Sequence, residues 1–179
     1  MRSSRAKLAL AVVAASAALT APAVLTAAPA SSATVRIVYY DASRVSQYAT
    51  QVQAAADTWN RSVTNVQLKA GSPATVTLHL SNDWPMAVPY GLGAGDIYIG
   101  KAATDKGHDV TRIISHEWGH ILGLPDIRTG LCSDLMSGSS APGSCTNAAP
   151  SSTEAAKVNS LFSGQQQQPP RPWWAYAAF

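Results

Sequence analysis

The sequence predicts an α/β fold in which a helix packs on a partly parallel sheet, and three observations support it. Residues 34–40 are rich in β-branched and aromatic side chains, as strands are. Apolar side chains then recur every three or four positions over residues 43–63, which indicates an amphipathic helix. Two more strand-like segments, 66–69 and 75–80, are separated by turn-forming residues. A strand, a crossover helix and further strands in this order form such a layered domain.

The first 33 residues have the layout of a secretory leader. Three basic residues near the start precede an uncharged run over residues 8–19, and small residues and prolines follow. The run is shorter than a bilayer span requires, so we expect no transmembrane anchor. Cleavage fits after Ala30 or Ala33, and the second site is favoured because the first strand-like segment starts directly after it. We therefore expect export, with residues 34–164 as the folded domain.

Charge and cysteine content narrow the function classes. The net charge of +3 comes from the leader, because three of the 13 basic residues lie there and the remaining 10 balance the 10 acidic ones. No basic cluster or basic helix face remains, so a nucleic-acid partner has no support. Cys132 and Cys145 are expected to form a disulfide because an exported domain meets oxidising conditions, and two buried free thiols are the alternative.

The most informative segment is a second predicted helix, which starts after Asp109, a good N-cap residue. It contains His116, Glu117 and His120 in the pattern HExxH. Histidines four residues apart lie one turn apart on the same side of a helix, so both imidazoles can bind one zinc ion. Glu117 is adjacent to the first histidine, so its carboxylate is placed to act as the general base for a water molecule.

A catalytic zinc ion needs a third protein ligand, and the candidates are His79, His108, Asp126, Asp134 and Glu154. Gly123 can adopt the positive φ that ends a helix, and Pro125 prevents the helix from resuming. Asp126 follows this turn directly, which selects it as the third ligand. His79 and His108 are isolated in sequence and are expected to be surface or hydrogen-bonded histidines. HExxH alone also occurs on solvated helix faces, and the glycine and aspartate that follow favour a metal site here.

The segment HEWGHILGLPD, which ends at Asp126, resembles the zinc signature of the snapalysin family of small extracellular neutral proteases. This family belongs to the metzincins, most of which have a histidine where Asp126 stands. Residues 135–138 resemble the metzincin Met-turn, in which Met136 would pack beneath the zinc ligands. The similarity extends from Thr34 to a predicted helix over residues 151–162, whose first turn has capping-box spacing.

The resemblance implies a mixed α+β, metzincin-like fold with a twisted, mixed five-stranded sheet, three helices and a cleft over the active-site helix. It also implies a secreted, monomeric zinc endopeptidase that acts on protein or peptide substrates and prefers an aromatic residue directly after the scissile bond. The implied cofactors are one catalytic zinc ion and one structural calcium ion near Asp109 and Thr111. Two oxygen donors are fewer than the six to eight of a calcium site, so the sequence chemistry alone does not predict calcium.

In this fold an edge strand pairs with the substrate backbone, and residues 82–100 are the candidate segment. Pro85, Pro89 and several glycines interrupt it, and a strand-like pattern resumes at residues 97–99. We expect an edge strand or a loop here. An exposed edge can pair with an extended peptide whatever its side chains are. An ordinary connecting loop fits the composition equally well.

Two positions and one segment depart from the family pattern. Trp118 is bulky for its place within the motif, and Arg128 stands where many relatives have a tyrosine. Residues 165–179 have no counterpart in the family. Their glutamines and prolines predict disorder, and their aromatic end either docks on a surface or is an extension without a role.

Two other function classes remain open. One is a secreted zinc-binding protein without activity, against which the intact Glu117 argues, because a structural zinc site does not need that carboxylate. The other is a surface-adhesion module that uses the aromatic tail. Hydrolysis of casein tests the first alternative, and truncation after Gly164 tests the second.

Overall fold

A mixed five-stranded sheet organises residues 34–164, the part of the chain that the computed structural model describes. Its strands in chain order are β1 (Arg36–Asp41), β2 (Val66–Ala70), β3 (Val76–Ser81), β4 (Met86–Gly91) and β5 (Ala94–Gly100). The spatial order is β2-β1-β3-β5-β4. Strands β2, β1, β3 and β5 run parallel, and β4 pairs antiparallel with β5 at one edge. The predicted fold class is confirmed.

The helices of the described region are α1 (Ala49–Ser62), the single turn α2 (Lys101–Thr104), α3 (Val110–Ile121) and α4 (Ser152–Leu161). Helices α1, α3 and α4 are the three that the sequence and its family resemblance predicted. Two 3-10 segments, Ser43–Tyr48 and Leu135–Ser140, were not predicted. The second of them contains the Met-turn, so it belongs to the site described below.

The first predicted helix begins later than expected. Residues 43–48 form the 3-10 segment instead of the first turns of α1, and Val45 inside it has a non-helical backbone. The cause is local, because the side chain of Asp41 accepts a hydrogen bond from the backbone N–H of Ser43 at 2.8 Å. Such a short-range bond favours a tight turn over an α-helix. The amphipathic pattern still continues through both parts, since Val45 is buried together with the apolar face of α1.

The core lies between the helices and one face of the sheet. Alternate residues of β1, β2, β3 and β5 are buried there, as the two-residue period of a strand requires. Trp59 of α1 is fully buried and donates its indole N–H to the backbone oxygen of Ser115 in α3 at 2.9 Å. Trp118 of α3 is also fully buried and meets Tyr40 of β1 edge-on, with ring centroids 5.5 Å apart. The two tryptophans therefore fix α3 against α1 and the sheet.

The segment 82–100 contains one edge strand and one interior strand. β4 is the edge strand that the prolines indicated, whereas β5 lies between β3 and β4. Gly95, one of the glycines that suggested a loop, instead permits β4 and β5 to pack closely. A Cβ added at Gly95 would lie only 2.4 Å from the backbone oxygen of Val88 and would collide with it. Ile97 and Ile99 of β5 are buried in the core. The prediction was thus right for β4 and incomplete for β5.

The predicted leader, residues 1–33, and the predicted tail, residues 165–179, lie outside the described residues. Among the helices of residues 34–164, none is both long enough and apolar enough to cross a membrane.

The buried Trp59 provides a test of this packing. Trp59→Phe removes the hydrogen bond to α3 and part of a fully buried ring, so we expect a loss of about 2–3 kcal/mol in the free energy of unfolding. Trp84→Phe is the matched control, because Trp84 is 47% exposed. The control should change the free energy of unfolding by less than about 0.5 kcal/mol. Urea unfolding measures both, and equal midpoints for the two variants would contradict the assignment.

Candidate metal centre and active-site cleft

Helix α3 carries the two candidate histidine ligands on one side. Its N-cap is Asp109, as predicted, and the side chain of Asp109 accepts the backbone N–H of Arg112 at 2.7 Å. His116 and His120 follow one turn apart, with ring centroids separated by 4.8 Å and ring planes at 87°. The helical spacing therefore produces the shared imidazole face that the motif predicted.

The chain reverses after α3 and returns to this face. Gly123 has a φ of 93°, the left-handed conformation expected of a helix-ending glycine. Beyond the turn, Oδ1 of Asp126 lies 3.2 Å from Nε2 of His116 and 3.6 Å from Nε2 of His120. These three ligand atoms all lie within 4.8 Å of one another. The predicted ligand set is thus brought together in space.

The hydrogen bonds of the imidazoles show what these three atoms can bind. Nδ1 of His116 lies 3.0 Å from the backbone oxygen of Leu135, and Nδ1 of His120 lies 2.9 Å from that of Leu124. A carbonyl oxygen only accepts, so each Nδ1 carries the proton and each Nε2 presents a lone pair. Within residues 34–164, no donor with good geometry reaches the buried Oδ1 of Asp126. Three acceptors facing one another fit a cation, and two imidazoles with one carboxylate oxygen form a common zinc ligand set.

The pKa shifts agree with a site that attracts a positive charge. Burial lowers the pKa of His116, but the contact with Asp126 and the charge of Glu117 outweigh burial, and the net shift is upward. For Asp126, burial raises the pKa, but the two histidines and Arg128 reverse this and hold it below its ordinary value. Both shifts favour the arrangement in which a carboxylate faces a cation.

Glu117, the predicted general base, is buried with 4% of its surface exposed. Burial raises the pKa of its carboxyl above the ordinary value, although His116 and His120 act in the opposite direction. A hydrogen bond from the backbone N–H of Ala87 in β4 also lowers it. A carboxyl tuned upward in this way is a better proton acceptor than an exposed one. Its neighbour Trp118 points into the core, so the bulky residue in the motif does not enter the cleft.

The Met-turn lies against α3 at the histidines, as the family resemblance implied. Met136 is 1% exposed, and a Cβ added at Gly119 would lie 2.3 Å from its sulfur, so a side chain there would force Met136 to move. Gly138 also lies close to the candidate ligands, since a Cβ added there would lie 3.1 Å from Cε1 of His116 and 3.2 Å from Oδ1 of Asp126. Gly119 and Gly138 thus allow the Met-turn to pack closely against α3 and the candidate ligands.

Glu154 holds the Met-turn in place, a role that the sequence did not reveal. Its carboxylate accepts the backbone N–H groups of Leu135 at 3.1 Å, Met136 at 2.7 Å and Ser151 at 2.6 Å. The contact with Ser151 belongs to the predicted capping box. The spacing of the capping box identified Glu154 at the start of α4, but the contacts with the Met-turn bridge 18 and 19 residues and have no local signal.

Arg112 is a second supporting residue that sequence reasoning missed. Its buried guanidinium donates to the backbone oxygens of Cys132, Asp134 and Asn147. It thereby ties α3 to both ends of the loop that the disulfide closes. Cys132 and Cys145 form that disulfide, with Cα atoms 5.5 Å apart, as predicted.

The other candidate ligands lie elsewhere. His79 bonds to Asp96 at 3.0 Å and stacks on Tyr98, so it is a hydrogen-bonded histidine as expected. His108 lies at the rim of the cleft, edge-on to Trp84. Among the described residues, the ligand cluster at α3 is the one group of three or more metal-binding side chains that could hold an ion. The calcium ion expected near Asp109 and Thr111 stays a prediction.

A cleft of about 550 Å³ opens over the ligand cluster. One wall is the edge strand β4 with the residues before it, from Trp84 to Pro89, and the other is the Met-turn and the disulfide loop. The surfaces between them include the apolar side chains of Ala103, Ile113, Leu135, Ala141 and Pro142. An apolar cleft with a few convergent polar groups is the usual form of a substrate site.

Comparison with known proteins identifies the family to which this site belongs. Residues 34–164 match the family described as the Streptomyces extracellular neutral proteinase (M7) family. The chain belongs to this family. The M7 match spans all the described residues, and it confirms the resemblance inferred from the HEWGHILGLPD segment.

Individual relatives of the M7 family agree with this assignment. An extracellular small neutral protease of Streptomyces sp. (strain C5) is 42% identical over 137 residues, which cover 75% of this chain and 59% of that protein. A protein of the same name from Streptomyces lividans is 40% identical over 139 residues, or 76% and 61% of the two chains. The chain thus spans about three fifths of the length of these relatives. A third, from Streptomyces caespitosus, is 41% identical over 127 residues, which cover 70% of this chain and 96% of the relative.

The hydrogen bonds of Glu154 to the Met-turn are expected to stabilise the folded domain. Glu154→Gln leaves one oxygen to accept the three backbone N–H groups, so buried donors lose their partner. We expect the free energy of unfolding to fall by about 2–4 kcal/mol. Lys157→Gln, an exposed change on the same helix, should have almost no effect. Chemical unfolding of both variants checks this, and a Glu154→Gln protein as stable as the control would show that the carboxylate does not hold the turn.

Proposed function

We propose that this chain is a secreted zinc endopeptidase whose zinc ligands are Nε2 of His116, Nε2 of His120 and Oδ1 of Asp126. The observation that carries the proposal is that both Nε2 atoms face Oδ1 of Asp126. This oxygen is buried and has no hydrogen-bond partner in the described region. The names of the relatives support the rest, since each is an extracellular small neutral protease.

Zinc bound by this ligand set would supply Lewis acidity for the scissile carbonyl and lower the pKa of a bound water toward about 7. The chain contributes the remaining chemistry. Glu117 follows His116 directly on α3, and its carboxylate is buried beside the ligand cluster. It is placed to accept a proton from the attacking water and to pass it to the leaving amine. Burial removes competing water from the carboxylate and keeps its pKa above the ordinary value.

Strand β4 provides a surface for the substrate backbone. It lies at the edge of the sheet and forms one wall of the cleft. Ala87 of this strand and Glu117 line the same cleft, and the backbone N–H of Ala87 lowers the pKa of the Glu117 carboxyl, so the strand lies beside the general base. An extended peptide that pairs with this edge gains backbone hydrogen bonds regardless of its side chains. This mode of binding suits a protease that cleaves within proteins.

The apolar side of the cleft supports a preference for an aromatic residue after the scissile bond. Ile113, Ala141 and Pro142 lie on this side, close to the ligand cluster. A planar aromatic side chain buries a large apolar area and suits such a pocket. We place the preference here because the Met-turn and the disulfide loop shape this part of the cleft.

The proposed protein has three segments, with the boundaries that the sequence predicts. Residues 1–33 act as a secretory leader, residues 34–164 form the protease domain, and residues 165–179 are an appendage that catalysis does not require. The folded domain acts as a monomer. A structural calcium ion near Asp109 and Thr111 remains a separate expectation, tested by calcium-dependent thermal stability.

Casein hydrolysis by the full chain tests the proposed reaction. Glu117→Gln should bind zinc like the wild type and lose activity by about 100-fold or more, because only the proton acceptor is removed. Asp126→Asn should lose both zinc and activity, and a chelator should abolish wild-type activity until zinc is restored. Zinc content by elemental analysis is the parallel readout. Zinc bound by an inactive wild type would favour a binding protein, and absence of bound zinc would refute the ligand assignment.

Peptide cleavage tests the proposed preference. In a matched series that varies only the residue after the scissile bond, phenylalanine or tyrosine should give kcat/KM at least about 10-fold above alanine. Ile113→Phe should reduce this ratio because the larger ring fills the apolar side of the cleft, whereas Leu131→Phe, at an exposed position outside the cleft lining, should leave it unchanged. Equal rates across the series would remove the aromatic preference and leave the zinc mechanism intact.

A further inference from the structure

Arg128 lies two residues beyond the third ligand and contacts it from the cleft side. Its Nη2 is 3.3 Å from Oδ2 of Asp126, the oxygen that does not face the histidines. We infer that Arg128 is a positioning residue, which holds the carboxylate of Asp126 so that Oδ1 stays directed at His116 and His120. The inference rests on the proposed zinc site and adds a residue to it.

The two oxygens of Asp126 face different groups. Oδ1 faces the imidazoles at 3.2 and 3.6 Å, and Oδ2 meets the guanidinium. The side chain of Asp126 is 15% exposed and that of Arg128 is 40% exposed, so the contact lies at the border of the cleft. Without a partner on Oδ2, the carboxylate could rotate about its Cβ–Cγ bond and exchange its oxygens. Loss of a group that orients a metal ligand in this way typically lowers metal affinity or activity by about 10- to 100-fold.

The unusual backbone conformation of Arg128 supports a functional role for its side chain. Its φ is 46°, and among residues 34–164 it is the one non-glycine residue with a positive φ. This left-handed conformation is unfavourable for a residue with a Cβ and costs nothing for glycine. Such strain persists at sites where surrounding contacts hold the residue, and these cluster at functional sites. Here it places a guanidinium, which glycine would lack, against the ligand.

The charge of Arg128 and its hydrogen bond to Asp126 are expected to change zinc affinity in opposite directions. An experiment can therefore distinguish them. The positive charge of Arg128 repels a zinc ion, so if charge were its only influence, its removal would tighten zinc binding. If orientation of Asp126 dominates, removal weakens zinc binding. The two effects differ in sign rather than in size.

The deciding experiment compares wild type, Arg128→Gly and Arg128→Met as full chains, with zinc affinity measured by competition against a chromophoric chelator. Arg128→Gly should bind zinc about 10- to 100-fold more weakly. The same variant should unfold at a higher temperature than wild type when both are metal-free, because the backbone strain is gone. A purely structural role for Arg128 would not raise metal-free stability while lowering zinc affinity.

Arg128→Met keeps the strained backbone and most of the stem but has no donor, so it should show the weaker zinc binding without the gain in stability. It also decides the question if the glycine variant fails to fold. Zinc binding that is equal to or tighter than wild type in the folded variants would overturn the inference and leave the proposed function intact. A wild-type chain that binds no zinc would instead refute the proposed function itself.

Discussion

The reversal of the chain after α3 is the constraint on which the candidate site depends. A helix places His116 and His120 on one side, but it cannot supply a third ligand to that side from its own next turn. Gly123 ends the helix in a left-handed conformation, and Oδ1 of Asp126 returns to 3.2 Å from Nε2 of His116 and 3.6 Å from Nε2 of His120. The backbone oxygen of Leu124, within the same turn, also fixes the tautomer of His120. One turn thus completes the candidate ligand set and orients part of it.

Backbone groups of the Met-turn orient the candidate ligands, and side chains from distant parts of the sequence hold those backbone groups in place. His116 is oriented by the carbonyl of Leu135, and the N–H of that residue is held by Glu154 from α4. Arg112 joins α3 to the disulfide loop by binding three backbone oxygens. Each contact uses one buried charged group to satisfy several backbone groups, which is an efficient way to fix irregular chain in a protein interior. These contacts therefore tie the Met-turn and the disulfide loop to α3 and α4.

The sheet topology places β4 along one wall of the cleft. β4 follows β3 in sequence but is separated from it in space by β5. The edge strand packs against α3. Its residue Ala87 lines the cleft together with Glu117, and the backbone N–H of Ala87 lowers the pKa of that carboxyl. The strand that would pair with a peptide and the carboxylate that would take up a proton thereby face the same cleft. This arrangement depends on Gly95, where any side chain would collide with the backbone of β4.

Local chemistry alone determined the first three strands, the helix with the HExxH pattern, the turn at Gly123 and the choice of Asp126 as the third candidate ligand, because each depends on spacing within a few residues. The disulfide followed from the presence of two cysteines. Tertiary structure decided what long-range contacts control: the interior position of β5, the depth of Trp118, and the roles of Glu154, Arg112 and Arg128. Those side chains look like ordinary surface charges in the sequence. Their roles arise only when the fold brings them to backbone groups or to a ligand from another part of the chain, as Glu154 does across 18 residues, or into a strained turn, as for Arg128.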